Sequence, residues 1–405
     1  MTEAIAASAS VRHDARVLGL VGTGHFVSHF FHLSLAPLFP LLVIDFGVSY
    51  MALGLAVALY NGASGAVQVP IGFLVDRIGA RIVLIVGLLV QALAFVAMSA
   101  VPTFEWLLVL AVIAGAANSV FHPANYSILS HSVDQRRMGR AFSIHTFTGH
   151  LGNSVAPATI IFIAALWGWR MALAAAGAAG LVMVIAMIMQ SSVLIGDSAD
   201  AKPDQGSEDI APAVDGFKLL FSAPMLMFFL FFSMTSMTTS GITSFSIVAL
   251  GSLHGMSLES AGVALTGYLF ASALGILLGG IIADMTSRHN FVAALAFIAT
   301  AGMIGVIGVS VLPAAFIIGL YIMAGLCQGI IRPARDMMVR AVAPKGTSGK
   351  VFGFVSTGIA VGGTLVPIFL GWVIDQGQPQ WIFYLIALFN LLALATIITP
   401  KRKLA

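Results

Sequence analysis

Twelve runs of about 20 or more mostly apolar residues follow one another along this 405-residue chain, at 17–43, 51–75, 82–101, 104–130, 140–165, 169–190, 223–250, 258–283, 291–312, 314–341, 350–374 and 380–399. Each is long enough to cross a hydrocarbon core of about 30 Å as a helix. In lipid only helices and closed barrels leave no backbone group unpaired, and runs this long fit helices. The expected fold is therefore an all-α membrane protein of twelve transmembrane helices. Composition agrees: charged residues are 9% of the chain, against about 25% in soluble domains. The single cysteine, Cys327, rules out a disulfide framework or a Cys-based zinc site and lies in an apolar run, where packing is its expected role.

An even number of crossings puts both termini on one side, and the basic residues test the count. If the N-terminus is cytoplasmic, the 19 lysines and arginines fall on that side except for Arg170, which lies opposite, and Arg332 and Arg335, which lie inside the tenth run. A miscounted helix would scramble this separation. The polar start of the chain has no short apolar core followed by a small-residue cleavage site, so the first run reads as a retained helix rather than a signal peptide. Residues 191–222, rich in Ser, Asp, Ala and Gly, cannot bury enough apolar surface to order themselves and read as a flexible cytoplasmic linker. The organisation is then a tail over 1–16, a six-helix bundle over 17–190, the linker, a second bundle over 223–399 and a basic tail over 400–405. The expected location is the plasma (inner) membrane, with both tails cytoplasmic.

The two bundles repeat. An offset of 210 pairs Gly115 with Gly325, Pro123 with Pro333, Ala124 with Ala334, Gly139 with Gly349, Phe142 with Phe352, Gly152 with Gly362 and Pro157 with Pro367. Near the second helix of each half, "GFLVD" at 72–76 answers "GIIAD" at 280–284. So many identities in one ungapped register indicate a duplicated six-helix unit.

With these features the chain resembles the major facilitator superfamily, whose architecture is two parallel six-helix repeats joined by a cytoplasmic linker. The most specific match is the loop "GFLVDRIGARIVL", similar to the family signature through Gly72, Leu74, Asp76, Arg77, Gly79 and Arg81; Asp284 remains in the repeat copy. Gly72 is expected to let two helices approach and Gly79 to permit a tight turn. Asp76 stands where it can meet the positive end of a neighbouring helix. The resemblance implies that these charges form a cytoplasmic latch. A finer resemblance, in "FHPANYSILSHSVDQRRMGRAFSIHTFTGHLGNSVAP", is to the fosmidomycin-resistance-type branch, which implies drug export. Around Pro157 the chain departs from the superfamily's antiporter pattern: Asn153 and Ala156 precede the proline, and Ile160 and Ile161 replace the trailing glycines.

Within "GIIRPARDMMVR" in the tenth run, Arg332, Arg335 and Asp336 put three charges within five positions, each costing roughly 2.5–3.5 kcal/mol at a helix centre in lipid. At 1.5 Å per residue, Arg332 lies about 14 Å from the cytoplasmic end, near mid-depth. A guanidinium cannot deprotonate and its fork of donors suits carboxylate, phosphate or sulfonate. Arg332 is the leading candidate for holding an anion, with Arg335 beside it and Asp336 either orienting it or acting as a proton-linked switch; a self-neutralising helical pair with Asp336 is the structural alternative. The 210 offset makes His122 the repeat partner of Arg332, and Asn118 that of Gln328; both, with Tyr126, are further candidate substrate contacts.

The first run carries "HFVSHFFH", which puts His25, His29 and His32 on one helix face. Imidazoles exchange protons near neutral pH or donate to an anion, so His25 and His29 are candidate substrate contacts and His29 and His32 candidate proton-coupling groups. No acidic residue accompanies them, and no metal site is expected. His145 and His150 lie about 140° apart around their helix, so at most one of them faces a cavity. "TSMTTSGITS" in the seventh run can line a cavity or bond across helices, and Gly241 within it can let the helix flex.

The expected function is a secondary active transporter for a small, carboxylate-like organic anion, working by alternating access and coupled to protons; a proton-driven drug exporter is the alternative. The H-x-x-x-H spacing of the first run superficially matches a di-iron oxidase, but no H-x-x-H-H occurs. There is no hydrolase triad, phosphate-cradling loop or nucleic-acid motif. Neither an enzyme activity nor a cofactor is expected, and the expected partners are a small molecule, protons and lipid, around a functional monomer.

Overall fold

The computed structural model describes residues 2–134, 137–194, 222–286, 288–309, 312–342 and 348–398; the linker stretch 195–221 and the C-terminal tail lie outside them. Among the described residues the chain is helical throughout, without a strand. The helices are α1 (Thr2–His32), α2 (Phe39–Phe46), α3 (Tyr50–Ile78), α4 (Ala80–Met98), α5 (Phe104–Asn118), α6 (Phe121–Ser132), α7 (Met138–Met189), α8 (Ala223–His254), α9 (Leu258–Met285), α10 (His289–Val309), α11 (Ala314–Val342), α12 (Ser348–Asp375) and α13 (Gln380–Ile398).

Among the described residues ten helical stretches are long and apolar enough to cross a membrane, and Gln380–Thr396 is a shorter apolar helix. The twelve crossings follow from these once α7 is considered. A helix of 52 residues would be about 78 Å long, far more than one bilayer core. It breaks at Gly168, whose φ of 82° and ψ of 163° are non-helical, so α7 is two crossings joined by one turn. Two other crossings are interrupted: the first by Leu33–Leu35 and a short 3-10 turn between α1 and α2, the fourth by Ser119 and Val120 between α5 and α6. Large apolar side chains such as Phe73, Trp106, Phe162, Trp167 and Phe291 are more than half exposed, as expected of helices that face lipid.

The chain divides into two units, Met1–Phe46 with Leu59–Asp204, and Gly47–Ala58 with Gln205–Ala405. In the first, α1 packs on α7, and α4 packs on α5, α6 and α7. In the second, α9 packs on α11, α12 on α8, and α10 on both α11 and α13. Its core gathers Phe228, Phe231 and Phe232 of α8 with Phe297 of α10 and Leu394 of α13; Phe231 meets Phe297 edge to face at 5.7 Å. In the first unit Phe31 packs on Phe95 at 4.4 Å.

The duplication extends to individual contacts. A Cβ at Gly115 would overlap the carbonyl oxygen of Tyr60, and one at Gly325 would overlap that of Tyr268. Likewise Gly152 abuts the carbonyl of Phe26, and Gly362 that of Ser233. Glycine at these sites lets the two backbones touch, which any side chain would prevent.

The start of α3 is held by the end of α12. The Asp375 carboxylate accepts hydrogen bonds from the backbone N–H groups of Tyr50 and Met51, both at 2.8 Å, so two of the donors left over at a helix N-terminus are satisfied by one side chain from far along the chain. Near it, Gly54 abuts the carbonyl of Pro367, and Gly371 that of Tyr50.

Candidate functional site

The first unit assembles a continuous cluster of histidines and amides. His25 is 3% exposed, and its Nδ1–H donates to the backbone carbonyl of His145 at 2.8 Å. Its ring lies flat on that of His145, with centroids 3.8 Å apart and planes 8° apart. His29 meets His25 edge on at 4.5 Å, and His122 does so at 5.6 Å. The three expected candidates His25, His29 and His122 are thus brought together from α1 and α6. One ligand nitrogen from each lies within 4.8 Å of the others.

Two asparagines reach into the cluster. Nδ2–H of Asn125 donates to Nε2 of His145 at 2.9 Å, and Nδ2–H of Asn153 donates to Nδ1 of His29 at 3.0 Å. His32 is exposed, and its Nε2–H donates to Oδ1 of Asn61 at 3.1 Å. Tyr126 is 44% exposed and packs against both His122 and His145. Gly149 makes room for the rings: a Cβ there would fall 2.6 Å from Cε1 of His25 and 3.0 Å from Cδ2 of His29.

Asn125, His145, Gly149 and Asn153 matter more here than the sequence suggested. The spacing of His145 and His150 showed only that they do not share a face. That His145 is the one seated on His25 depends on how α7 meets α1.

Beside this cluster runs a second polar relay. Gln91 Nε2–H donates to the Tyr60 hydroxyl oxygen at 2.8 Å and makes a longer contact of 3.4 Å with Oδ1 of Asn118, while Asn118 Nδ2–H donates to Ser64 Oγ at 3.0 Å. The candidate contact Asn118 is therefore engaged in helix-to-helix bonding. The repeat places Tyr268, Thr300, Gln328 and Ser272 at the corresponding positions of the second unit, at offsets of 208 to 210. There the Tyr268 hydroxyl, Thr300 Oγ1 and Gln328 Oε1 are buried without a hydrogen-bond partner among the described residues. Arg332 is half-buried on α11, one turn beyond Gln328. The two relays share positions but differ in how their polar atoms are satisfied.

Arg335 and Asp336 lie on α11, and Asp284 on α9, but their side chains are outside the described residues. In the signature loop, Gly79 has φ 91° and joins α3 to α4 without an intervening loop. Asp76, Arg77 and Arg81 are exposed, and Arg81 donates to the carbonyl of Ser191 at 3.4 Å. One expectation is corrected here. Among the described residues a Cβ at Gly72 would meet nothing within 4 Å, so Gly72 is not where helices approach closely; Gly115, Gly152 and their repeat partners are.

In the hydroxyl run on α8, Thr235, Thr239 and Thr243 bond carbonyls four residues back in their own helix, while Ser236 reaches across to the carbonyl of Ile359 on α12 at 2.7 Å. Gly241 packs tightly, since a Cβ there would come within 2.9 Å of Ile386 and of Leu370. This is a packing role rather than a free flex point. Arg170, the one basic residue expected opposite the rest, pairs with Asp45 at 2.7 Å and stacks on Trp169 at 4.1 Å.

Comparison with known proteins agrees with this architecture. Along its whole length the chain is similar to the fosmidomycin resistance protein of Escherichia coli (strain K12), with 24% identity over 417 residues covering 99% of this chain and 96% of that one. Over 141 residues, 34% of each chain, it is 30% identical to the multidrug resistance protein MdtG of Erwinia billingiae (strain Eb661). Among solved structures, the nucleoside transporter NupG superposes with a TM-score of 0.75 at 15% identity, covering 95% of this chain and 100% of that one. A bacterial homologue of the human lysosomal transporter Spinster, in an inward-facing conformation, gives a TM-score of 0.73 at 15% identity, covering 95% and 94%. The family Major Facilitator Superfamily itself matches over residues 21–253 and 234–404. With its twelve crossings and its repeated helix contacts, the chain belongs to the Major Facilitator Superfamily and is one of its membrane transporters.

Proposed function

We propose that this transporter exports a small organic anion by alternating access, driven by protons. The observation that carries the reading is Arg332, a half-buried guanidinium in a membrane-crossing helix, one turn beyond the buried amide of Gln328. A permanent cation at that depth is costly unless it faces polar groups or cargo. Gln328, one turn away, offers an acceptor oxygen that has no partner among the described residues. A transporter that confers resistance can do so by lowering the internal concentration, and the whole-length relative is named for fosmidomycin resistance; export is the direction that fits. No nucleotide-binding motif supplies primary energy, so His29, His32 and Asp336 are the groups assigned to proton coupling. The second reading, export of uncharged or cationic drugs, draws on the multidrug resistance relatives.

The test is transport by reconstituted liposomes offered carboxylates, phosphonates including fosmidomycin, and sulfonates, with and without a pH gradient. Movement of one anion, lost in Arg332→Ala and partly kept in Arg332→Lys, is the expected result. Efflux of a hydrophobic dye with no anion response, unchanged in Arg332→Ala, overturns the reading in favour of drug export.

A further inference from the structure

Three imidazoles, from His25, His29 and His122, converge so that one nitrogen of each lies within 4.8 Å of the others. Anion contacts do not require such convergence, but a metal ion does.

His25 is already in the form a ligand needs. Its Nδ1–H is committed to the carbonyl of His145, which leaves the Nε2 lone pair as the available donor. That Nε2 is buried, in a side chain only 3% exposed, and has no hydrogen-bond partner among the described residues. Metal-binding histidines characteristically donate their other ring N–H to a carbonyl or carboxylate, which fixes the tautomer and ring orientation. His29 has the same provision. Asn153 faces its Nδ1, and Oδ1 of Asn153 is buried without a hydrogen-bond partner among the described residues. Turning that amide end for end lets Oδ1 accept from Nδ1–H, and Nε2 of His29 becomes the donor to a metal; the two amide orientations are chemically equivalent in shape. His122 completes the set from α6, on the exposed side of the cluster.

We propose that His25, His29 and His122 form a binding site for a divalent first-row transition cation, with one coordination position left open on the His122 side. Imidazole nitrogens suit Zn²⁺, Co²⁺, Ni²⁺ and Cu²⁺, whereas Mg²⁺ and Ca²⁺ require oxygen ligands. Three neutral imidazoles leave the bound ion its full charge, so the open position receives an anion. The site goes beyond the anion-transport reading and its existence does not depend on it; while the ion is bound His29 is not free to carry a proton, and coupling falls to His32 and Asp336. Tetrahedral coordination at about 2.0–2.1 Å sets the nitrogens about 3.3 Å apart, so ring rotations of roughly an ångström close the site. No acidic residue accompanies the histidines of the first run in the sequence. The structure replaces it with a backbone carbonyl and an amide, both brought by α7.

The test is Zn²⁺ and Co²⁺ binding by the purified full-length chain without a histidine tag, followed by calorimetry and X-ray absorption. One ion per chain with about three imidazole nitrogens at about 2.0–2.1 Å is expected. His122→Ala, an exposed position that leaves the fold intact, is expected to weaken binding at least tenfold, and Asn153→Ala by about tenfold or more. His131→Ala, whose ring Nδ1–H is bonded to the carbonyl of Ser127 in its own helix, should bind as wild type. Binding below one equivalent, equal affinity in His122→Ala, or equal loss in His131→Ala overturns the site. Metal binding without anion transport would remove the transport reading alone, and anion transport by a protein that binds no metal would remove this one alone.

Discussion

The ring of His25 lies parallel to that of His145, 3.8 Å away, and donates Nδ1–H to the backbone carbonyl of the same residue. One residue of α7 thereby fixes the plane, the tautomer and the depth of a buried imidazole on α1. The two helices can stand that close because the residue one turn further along α7 is Gly149.

Gly149→Leu is accordingly expected to displace His25 and His29 and to destabilise the protein by about 1–3 kcal/mol, the cost of overpacking a tight contact. Gly19→Ala is the control, since its Cβ would meet nothing within 4 Å; it should be neutral or slightly stabilising, as alanine favours helix over glycine by about 1 kcal/mol. Thermal unfolding in detergent distinguishes the two, and equal effects would show that Gly149 has no special role.

The two polar relays predict opposite responses to equivalent changes. Gln91→Leu removes the donor to Tyr60 and should cost about 1–3 kcal/mol by leaving buried groups unpaired. Thr300→Val, at the matching position of the second unit, deletes a buried hydroxyl that has no partner and should be neutral or stabilising. A loss of stability in Thr300→Val as large as that in Gln91→Leu would refute the distinction.

Asp375 caps α3 through two backbone donors. Asp375→Ala should cost about 1 kcal/mol and speed amide hydrogen exchange at Tyr50 and Met51 while leaving the middle of α3 protected. Unchanged exchange at both amides would mean the carboxylate does not hold this helix end.

The charge pattern predicts orientation. In a Cys327→Ser background, Gln378→Cys should react with a membrane-impermeant maleimide on intact cells, and Ser207→Cys only after permeabilisation. The reverse pattern would invert the topology inferred from the basic residues.

Much of the architecture was legible in the sequence because lipid tolerates so few alternatives. A run such as 82–101 has to be a helix, and the spacing of Gly115 and Gly325 had to recur if the halves were duplicated; both are seen. Gly168 was legible only as a gap between two runs, and its positive φ explains how that gap is closed without a loop. Gly72 was misread, because a glycine in a helix looks the same in sequence whether a neighbour touches it or not.

The sequence by itself determined the crossings, the duplication and the presence of histidines on one face of the first helix, because these follow from hydropathy, register and helical periodicity. Only the tertiary structure decided which polar groups meet. His122 joins His25 and His29, and His145 supplies the carbonyl, through contacts between residues about 100 positions or more apart in the chain. Helix-to-helix packing sets such meetings, and periodicity within one helix carries no information about the rotation and height at which another helix docks.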